Sequence, residues 1–281
     1  MTVRDGWTTV VVRVRSDVAE LVADQLWRFG PAAIEEQLGA EGAVLLAGFD
    51  DHDRAAEARA AIVQAGLGVE IVPVVDGGLD GWRRWAKVEH APPFVVVPSW
   101  LESPEPAAGE RVLRVDPAHT FGSGSHPTTR LMLGQLADVL APGGSVLDVG
   151  CGSGILAVGA ALLGAGSVLA IDIDPGSPAA TAANAKANGV AHLVTVTTST
   201  LNEVAADRST RFDVVAANLL APVIADLALD LERVVAPDGA LVVSGLLADR
   251  WKATTARIPN LAVAAVAVDD GWAAVTLRAG H

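Results

Sequence analysis

The chain has 281 residues, 51% of them hydrophobic and 19% charged, enough apolar surface for a large domain plus a small one, which excludes global disorder. Its formal net charge is -13, from 20 basic and 33 acidic residues, so a dominant phosphate-binding footprint is excluded and no direct nucleic-acid partner is expected. A single cysteine, Cys151, rules out an internal disulfide and a cysteine-rich zinc site.

Residues 7–15 are rich in Val and Thr and predict a strand. Residues 16–30 predict a helix capped by Ser16 or Asp17, with Val18, Leu21, Val22, Leu26 and Phe29 on one stripe. Two strands at 32–38 and 43–49, turned by Gly39-Ala40-Glu41-Gly42, precede an alanine-rich helix at 53–65 and a last strand at 69–75. The order β-α-β-β-α-β makes residues 1–75 a small ferredoxin-like α+β domain, a fold that carries no function by itself. Periodicity disappears over 76–110. There Gly77, Gly78, Pro92, Pro93, Pro98, Pro104 and Pro106 predict a linker with one short strand at 94–97, anchored by Trp82, Trp85 and Trp100.

In the third part, 111–281, strands are predicted at 145–149, 168–171, 193–197, 212–216, 240–244, 261–268 and 273–278. Helices fill the first five intervals, and Asp269-Asp270-Gly271 marks a hairpin between the last two strands. Apolar runs such as FDVVA and ALVVS suit parallel strands buried on both faces, so the expectation is an open α/β sheet ending in an antiparallel hairpin. Residues 149–171 carry no charge over 23 positions, long enough to span a bilayer, but six glycines interrupt them and Asp172 ends them. They read as core. The start of the chain has no basic segment or apolar block of a signal peptide, so the expected location is cytoplasmic, with no membrane partner.

The local signal for chemistry is Val146-Leu147-Asp148-Val149-Gly150-Cys151-Gly152-Ser153-Gly154-Ile155-Leu156, a strand, a glycine turn and a helix start. Gly150 can take the dihedrals of the turn, Gly152 lets a ligand approach the backbone, and Gly154 allows close packing of helix on strand. The helix N-terminus offers N–H groups to an anion. A dinucleotide fingerprint calls for a small residue where Ile155 stands, which favours S-adenosylmethionine, with a carboxylate and no pyrophosphate, over a nicotinamide cofactor. Asp172 follows Gly150 by 22 residues, at the end of the next strand, where a carboxylate reaches ribose hydroxyls. Asp174 shares that loop and reads as a helix entry. The loop from Asp116 to Thr129 holds His119, His126 and a Ser-Gly-Ser turn; no third ligand spacing supports a metal, and Pro127 predicts the start of a helix. Asn218 lies at the tip of the fourth strand of the sheet, where substrate meets cofactor, and doubles as a helix cap. Leu219 and Leu220 supply no ring to stack a nucleobase, which disfavours base methylation.

The run Phe121-Gly-Ser-Gly-Ser-His126-Pro-Thr-Thr129, with Leu147-Asp-Val-Gly-Cys-Gly-Ser-Gly-Ile-Leu156, Ile171-Asp-Ile-Asp-Pro175 and Ala217-Asn-Leu-Leu220, resembles the ribosomal protein L-eleven methyltransferase (PrmA) family. Asn184 to Gly189 (NAKANG), Val243-Ser-Gly-Leu246 and Val97-Pro-Ser-Trp100 carry the same resemblance, which is strongest from Asp116 to Leu247 and weak before residue 80. It implies a Rossmann-like, seven-stranded class I methyltransferase sheet, S-adenosylmethionine as donor, and methylation of amino groups on a large-subunit ribosomal protein. It further implies an N-terminal domain that recognises the protein substrate and a linker that repositions the catalytic domain; separately, the chain is expected to be a monomer. Cofactor contacts fall by resemblance on Thr129, Gly150, Asp172 and Asn218; Gly152 and Phe121 complete the expected set. Asn218 and the loop 121–125 are expected to orient the acceptor amine, with His119 and His126 as proton relays. Ser123 and Ser125 stand where the family often has Thr, and the loop 199–202 lacks the acid that many class I enzymes aim at adenine. A small-molecule methyltransferase on the same fold and a non-catalytic ligand-binding assembly factor are the competing readings.

Overall fold

The computed structural model describes residues 8–15, 18–31, 33–39, 42–49, 51–65, 70–72, 86–116 and 124–279, and the chain divides into two compact units, Met1–Ala86 and Lys87–His281. The first unit runs β1 (Thr8–Val14), α1 (Ala19–Trp27), β2 (Ala33–Gly39), β3 (Gly42–Phe49), α2 (His52–Gln64) and β4 (Glu70–Val72). Its sheet is antiparallel throughout, in the order β2-β3-β1-β4, the ferredoxin-like arrangement expected. Alternation on the strands sends Val10, Val12 and Val14, with Leu45, Ala47 and Phe49, to one face. Val22 and Leu26 of α1 and Ala55, Ala58 and Ile62 of α2, at helical spacing, cover that face. Asp51 caps α2, accepting from the N–H groups of Asp53 (2.8 Å) and Arg54 (3.3 Å). α1 starts later than predicted, with Val18 at its N-cap and no side-chain cap bond. Ser16 and Asp17, expected as caps, lie outside the described residues.

The second unit opens with β5 (Glu89–Ala91), β6 (Phe94–Pro98) and β7 (Arg111–Val115), a three-stranded sheet in that order, β6 antiparallel to β5 and parallel to β7. The expectation was a linker with one strand over 76–110; the described part of that segment carries two strands, β5 and β6, and from Lys87 onward it belongs to the second unit. All five residues of β6 are buried, and Phe94, Val96 and Leu113 join one core with Met132, Leu133 and Ile155. Short strands broken by Pro and Gly leave no periodicity to read, yet pairing and core contact hold them in place. Trp82 and Trp85 lie outside the described residues; Trp100 is half-buried.

Next come α3 (Pro127–Val139), β8 (Ser145–Val149), α4 (Ile155–Leu163), β9 (Ser167–Ile171), α5 (Ser177–Ala187), β10 (Val194–Thr197), α6 (Leu201–Ala206), β11 (Phe212–Asn218), α7 (Ala221–Arg233), β12 (Val235–Leu247), α8 (Trp251–Thr255), β13 (Leu261–Asp269) and β14 (Trp272–Ala279). The sheet order is β10-β9-β8-β11-β12-β14-β13; the first five strands are parallel and β14 is antiparallel to both neighbours. Consecutive residues face opposite cores. Val146, Val214 and Ala216 point to α3, α4 and α5, while Leu147, Val215 and Ala217 point to α6 and α7, which is why these strands read as unbroken apolar runs. The hairpin turn is the two residues Asp270 (φ 46°) and Gly271 (φ 79°), both left-handed, the geometry of a type I′ turn. Residues 149–171 resolve into a turn, α4 and β9, and no helix among the described residues is long and apolar enough to cross a membrane. Strand order reverses between β8 and β11, so the crevice for a ligand lies beyond their carboxyl ends.

Candidate active site

The glycine turn closes that crevice. Gly150 (φ 73°), Gly152 (φ 53°) and Gly154 (φ 77°) all take left-handed dihedrals. The N–H groups of Gly150 and Cys151 donate to the Ile171 carbonyl at 2.8 and 3.1 Å, which fastens the turn to the end of β9. A Cβ on Gly150 would run into Leu219 Cδ2, and one on Gly154 would come within 2.5–2.8 Å of the Thr181 side chain. The neighbour that demands glycine at 154 is thus α5, not the strand. No side chain caps α4, whose N-cap is Gly154 itself.

Asp172 sits half-buried at the end of β9 and ties two loops together. Its Oδ2 accepts from Gly152 N–H (2.7 Å) and its Oδ1 from Asp174 N–H (2.9 Å). Asp174 in turn accepts from Gly176 N–H at 2.8 Å, at the entry to α5. Between the two carboxylates Ile173 is 79% exposed, an apolar side chain left uncovered. The sequence reading passed over it, although an isolated apolar residue between two acids was a visible signal. It also passed over Asp148, the one charge on β8. Asp148 Oδ2 accepts from Ala157 N–H (3.0 Å), whereas Oδ1 is buried with no partner among the described residues. Burial first, and the nearby Asp172 carboxylate after it, push this group up to about 7. Burial, then Asp148, push the Cys151 thiol up to about 12, so it is inert as a nucleophile at neutral pH.

The opposite wall is the first turn of α3. His126 caps it: Nδ1 accepts from Thr128 N–H at 3.3 Å and lies 2.8 Å from Thr128 Oγ1. Asn218 Nδ2 donates to the same Oγ1 at 3.2 Å. Thr128 and Thr129 are buried, and Thr129 Oγ1 has no partner among the described residues. The Trp272 ring meets His126 edge-on at 5.0 Å. Arg130 donates to the Ser125 carbonyl (2.6 Å) and pairs with Asp269 (2.7 Å), which joins the loop to the β13–β14 hairpin. Burial and then Arg130 lower His126 to about 4, against a smaller pull from Asp270. The structure places this residue, expected as a proton relay, at the N-cap of α3 with its affinity for a proton lowered. His119 and Phe121 lie outside the described residues.

Two asparagines, Asn184 of α5 and Asn188 at its C-cap, hold the approach to this wall. Asn184 accepts from Asp116 N–H (2.8 Å) and donates to the carbonyls of Asp116 (2.9 Å) and Ser153 (2.8 Å). Asn188 accepts from Arg114 N–H (2.9 Å) and donates to its carbonyl (2.7 Å). In the loop after β10, Thr200 forms a capping box with Glu203, so that acid is committed to α6. No group of three or more His, Cys, Asp or Glu suited to a metal occurs among the described residues.

The family model described as "Ribosomal protein L11 methyltransferase (PrmA)" matches residues 77–280. The chain belongs to this family. A ribosomal protein L11 methyltransferase of Pelotomaculum thermopropionicum is 40% identical over 202 residues, covering 71% of this chain and 64% of that protein. The Listeria monocytogenes relative is 36% identical over 202 residues, 71% of this chain and 63% of its own length. The chain therefore spans somewhat under two thirds of the curated relatives it matches. The crystal structure of a ribosomal protein L11 methylase from Lactobacillus delbrueckii subsp. bulgaricus superposes with a TM-score of 0.61 at 28% identity, covering 69% of this chain and 98% of that one. Residues 1–76 fall outside the matched family region.

Proposed function

We propose that the chain transfers methyl groups from S-adenosylmethionine to amino groups, on lysine side chains or an N-terminal amine, of a large-subunit ribosomal protein in the cytoplasm. The observation that carries this reading is the packing of Leu219 on Gly150: it brings Asn218, the acceptor-side residue, against the donor-side turn. The residues present fit the donor. Asp172 keeps outer lone pairs for ribose hydroxyls, the uncapped start of α4 suits the amino-acid carboxylate, and the unpartnered Thr129 Oγ1 and Asp148 Oδ1 mark polar groups awaiting a partner. Gly150 and Gly152 allow close backbone approach, the exposed Ile173 would offer the adenine an apolar contact, and Phe121, also expected in the cofactor set, lies outside the described residues.

When bound, the donor would supply a sulfonium methyl group open to in-line attack by the acceptor nitrogen, the C–S bond breaking to leave a neutral thioether. What the chain must do is orient a neutral amine. Deprotonation at pH 7 costs about 4–5 kcal/mol for lysine and about 1 kcal/mol for an α-amine. The apolar lip of Leu219 and Leu220 offsets part of this by disfavouring the ammonium. His126, held near 4, takes no proton, so the amine loses its proton to water before transfer. The N-terminal domain, with 6 basic and 12 acidic residues over 1–75, grips the protein substrate, its acidity suiting a basic partner.

The test is mass spectrometry of the purified ribosomal protein after incubation with the enzyme and isotope-labelled S-adenosylmethionine. Label on lysine or N-terminal nitrogens is the expected result; donor binding without label on any amine would overturn it in favour of a non-catalytic role.

A further inference from the structure

Asn218 is an amide, and which of its two ends faces the acceptor decides whether it attracts or repels an amine N–H. The hydrogen bonds around Thr128 settle that choice. His126 Nδ1 accepts from the Thr128 backbone N–H, so it carries no proton of its own. The Thr128 hydroxyl, 2.8 Å from the same nitrogen, must then donate to it. A hydroxyl has one hydrogen, so toward Asn218 it can only accept, and the group that reaches it at 3.2 Å is the amide nitrogen. The carboxamide is planar, which leaves Oδ1 on the branch away from Thr128. No described residue donates to Oδ1.

We propose that Thr128 is a positioning residue for methyl transfer: its hydroxyl holds Asn218 with nitrogen inward, so that Oδ1 accepts an N–H of the incoming amine and directs the nitrogen lone pair at the methyl group. This rests on the methyltransferase reading above. The opposite amide orientation would need a proton on His126 Nδ1, which would collide with the Thr128 N–H already aimed there. The groups facing the ring oppose that proton on balance: Arg130 on α3 repels it and burial penalises it, while Asp270 in the hairpin only partly offsets them. Trp272 holds the ring edge-on from β14, so the imidazole is fixed from both sides.

The experiment compares Thr128→Val, which keeps the shape and removes the hydroxyl, with Thr128→Ser, which keeps the hydroxyl. Each is made alone and in an Asn218→Ala background and assayed on the ribosomal protein. Thr128→Val should lower kcat by about ten- to a hundredfold, with KM for the protein and Kd for S-adenosylmethionine (by calorimetry) within about twofold of wild type. Thr128→Ser should restore most of kcat. In the Asn218→Ala background, Thr128→Val should add little, because the hydroxyl acts through that amide. An unchanged kcat in Thr128→Val, equal losses in the Val and Ser variants, or a full additional loss on top of Asn218→Ala would each overturn the assignment. A wild-type chain that labels no amine would bring down the underlying reading instead.

Discussion

Gly245→Ala offers a sharp test of how β12 supports the acceptor side of the crevice. Gly245 lies in the bulge where the β12–β14 register shifts between Val243 and Leu246, with φ at +85°. An alanine there pays about 1–2 kcal/mol for the left-handed conformation alone. Its Cβ would also overlap the carbonyl oxygen of Leu219 and stand 2.8 Å from the carbonyl carbon, both backbone atoms. Ordinary carbon–oxygen contacts begin near ~3.3 Å, so the 219 peptide must retreat by roughly 1 Å, stretching the bond from Leu219 N–H to the Ser244 carbonyl (3.1 Å). With strain of about 1–2 kcal/mol from that shift, the total is about 3 kcal/mol. For a unit of this size the melting midpoint should then fall by about 6–12 °C. Because Asn218 precedes the displaced peptide, kcat should drop by up to about a hundredfold even at temperatures where the variant is folded. Thermal denaturation followed by circular dichroism, with methyl transfer measured well below the midpoint, checks both. A midpoint within about 2 °C of wild type together with full kcat would refute the reasoning, since the peptide would have moved at no cost.

Two further outcomes are expected. Asp172→Ala should weaken S-adenosylmethionine binding by about tenfold or more, measured by calorimetry, since it removes both the ribose acceptor and the ties to Gly152 and Asp174; unchanged affinity would show the ribose lies elsewhere. The pH dependence of stability pits two buried groups against each other. His126, lowered from 6.5 to about 4, stabilises fully above pH 6.5 and loses that contribution as pH falls from 6.5 toward 4, because the unfolded chain takes the proton first. Asp148, raised from 3.8 to about 7, acts oppositely: its folded form keeps the proton, so stability declines as pH rises from 3.8 toward 7. The two slopes offset each other between about pH 4 and 6.5. His126→Asn keeps a capping acceptor and removes the titration, so its denaturant midpoint, relative to wild type, should rise as pH drops from 7 to 5; parallel pH curves for the two proteins would contradict the assignment.

Much of this architecture could be read from the chain because its signals are local. The strands between α3 and the hairpin announced themselves as apolar runs, since helices cover both faces of the sheet. Asp270-Gly271 specified its turn by dihedral preference alone. What stayed hidden depends on distant partners. β12 begins at Val235, ahead of a Pro-Asp-Gly sequence that reads as a turn, because Val235 pairs with Phe212 across a register shift. The strands flanking β6 are too short to show a period, and only their pairing defines them. Likewise, the role of Asp148 rests on a bond from Ala157 on the next helix, which no local pattern marks. Thr128 gained its significance from Asn218, ninety positions away in sequence.

The two amides at the end of α5, on Asn184 and the C-cap Asn188, bear on which length changes this chain can absorb. Asn184 and Asn188 are one turn apart and grip the backbone of Arg114 and Asp116 like rungs of an extra strand. One residue inserted or deleted between them would swing the second amide by about 100° around the helix axis and release half of the grip. Gly189, immediately beyond, has open space around it and a left-handed φ of 72°, so the same indel placed there leaves both rungs intact. Natural and engineered length variation in this stretch should accordingly collect after residue 188 and avoid the four positions before it.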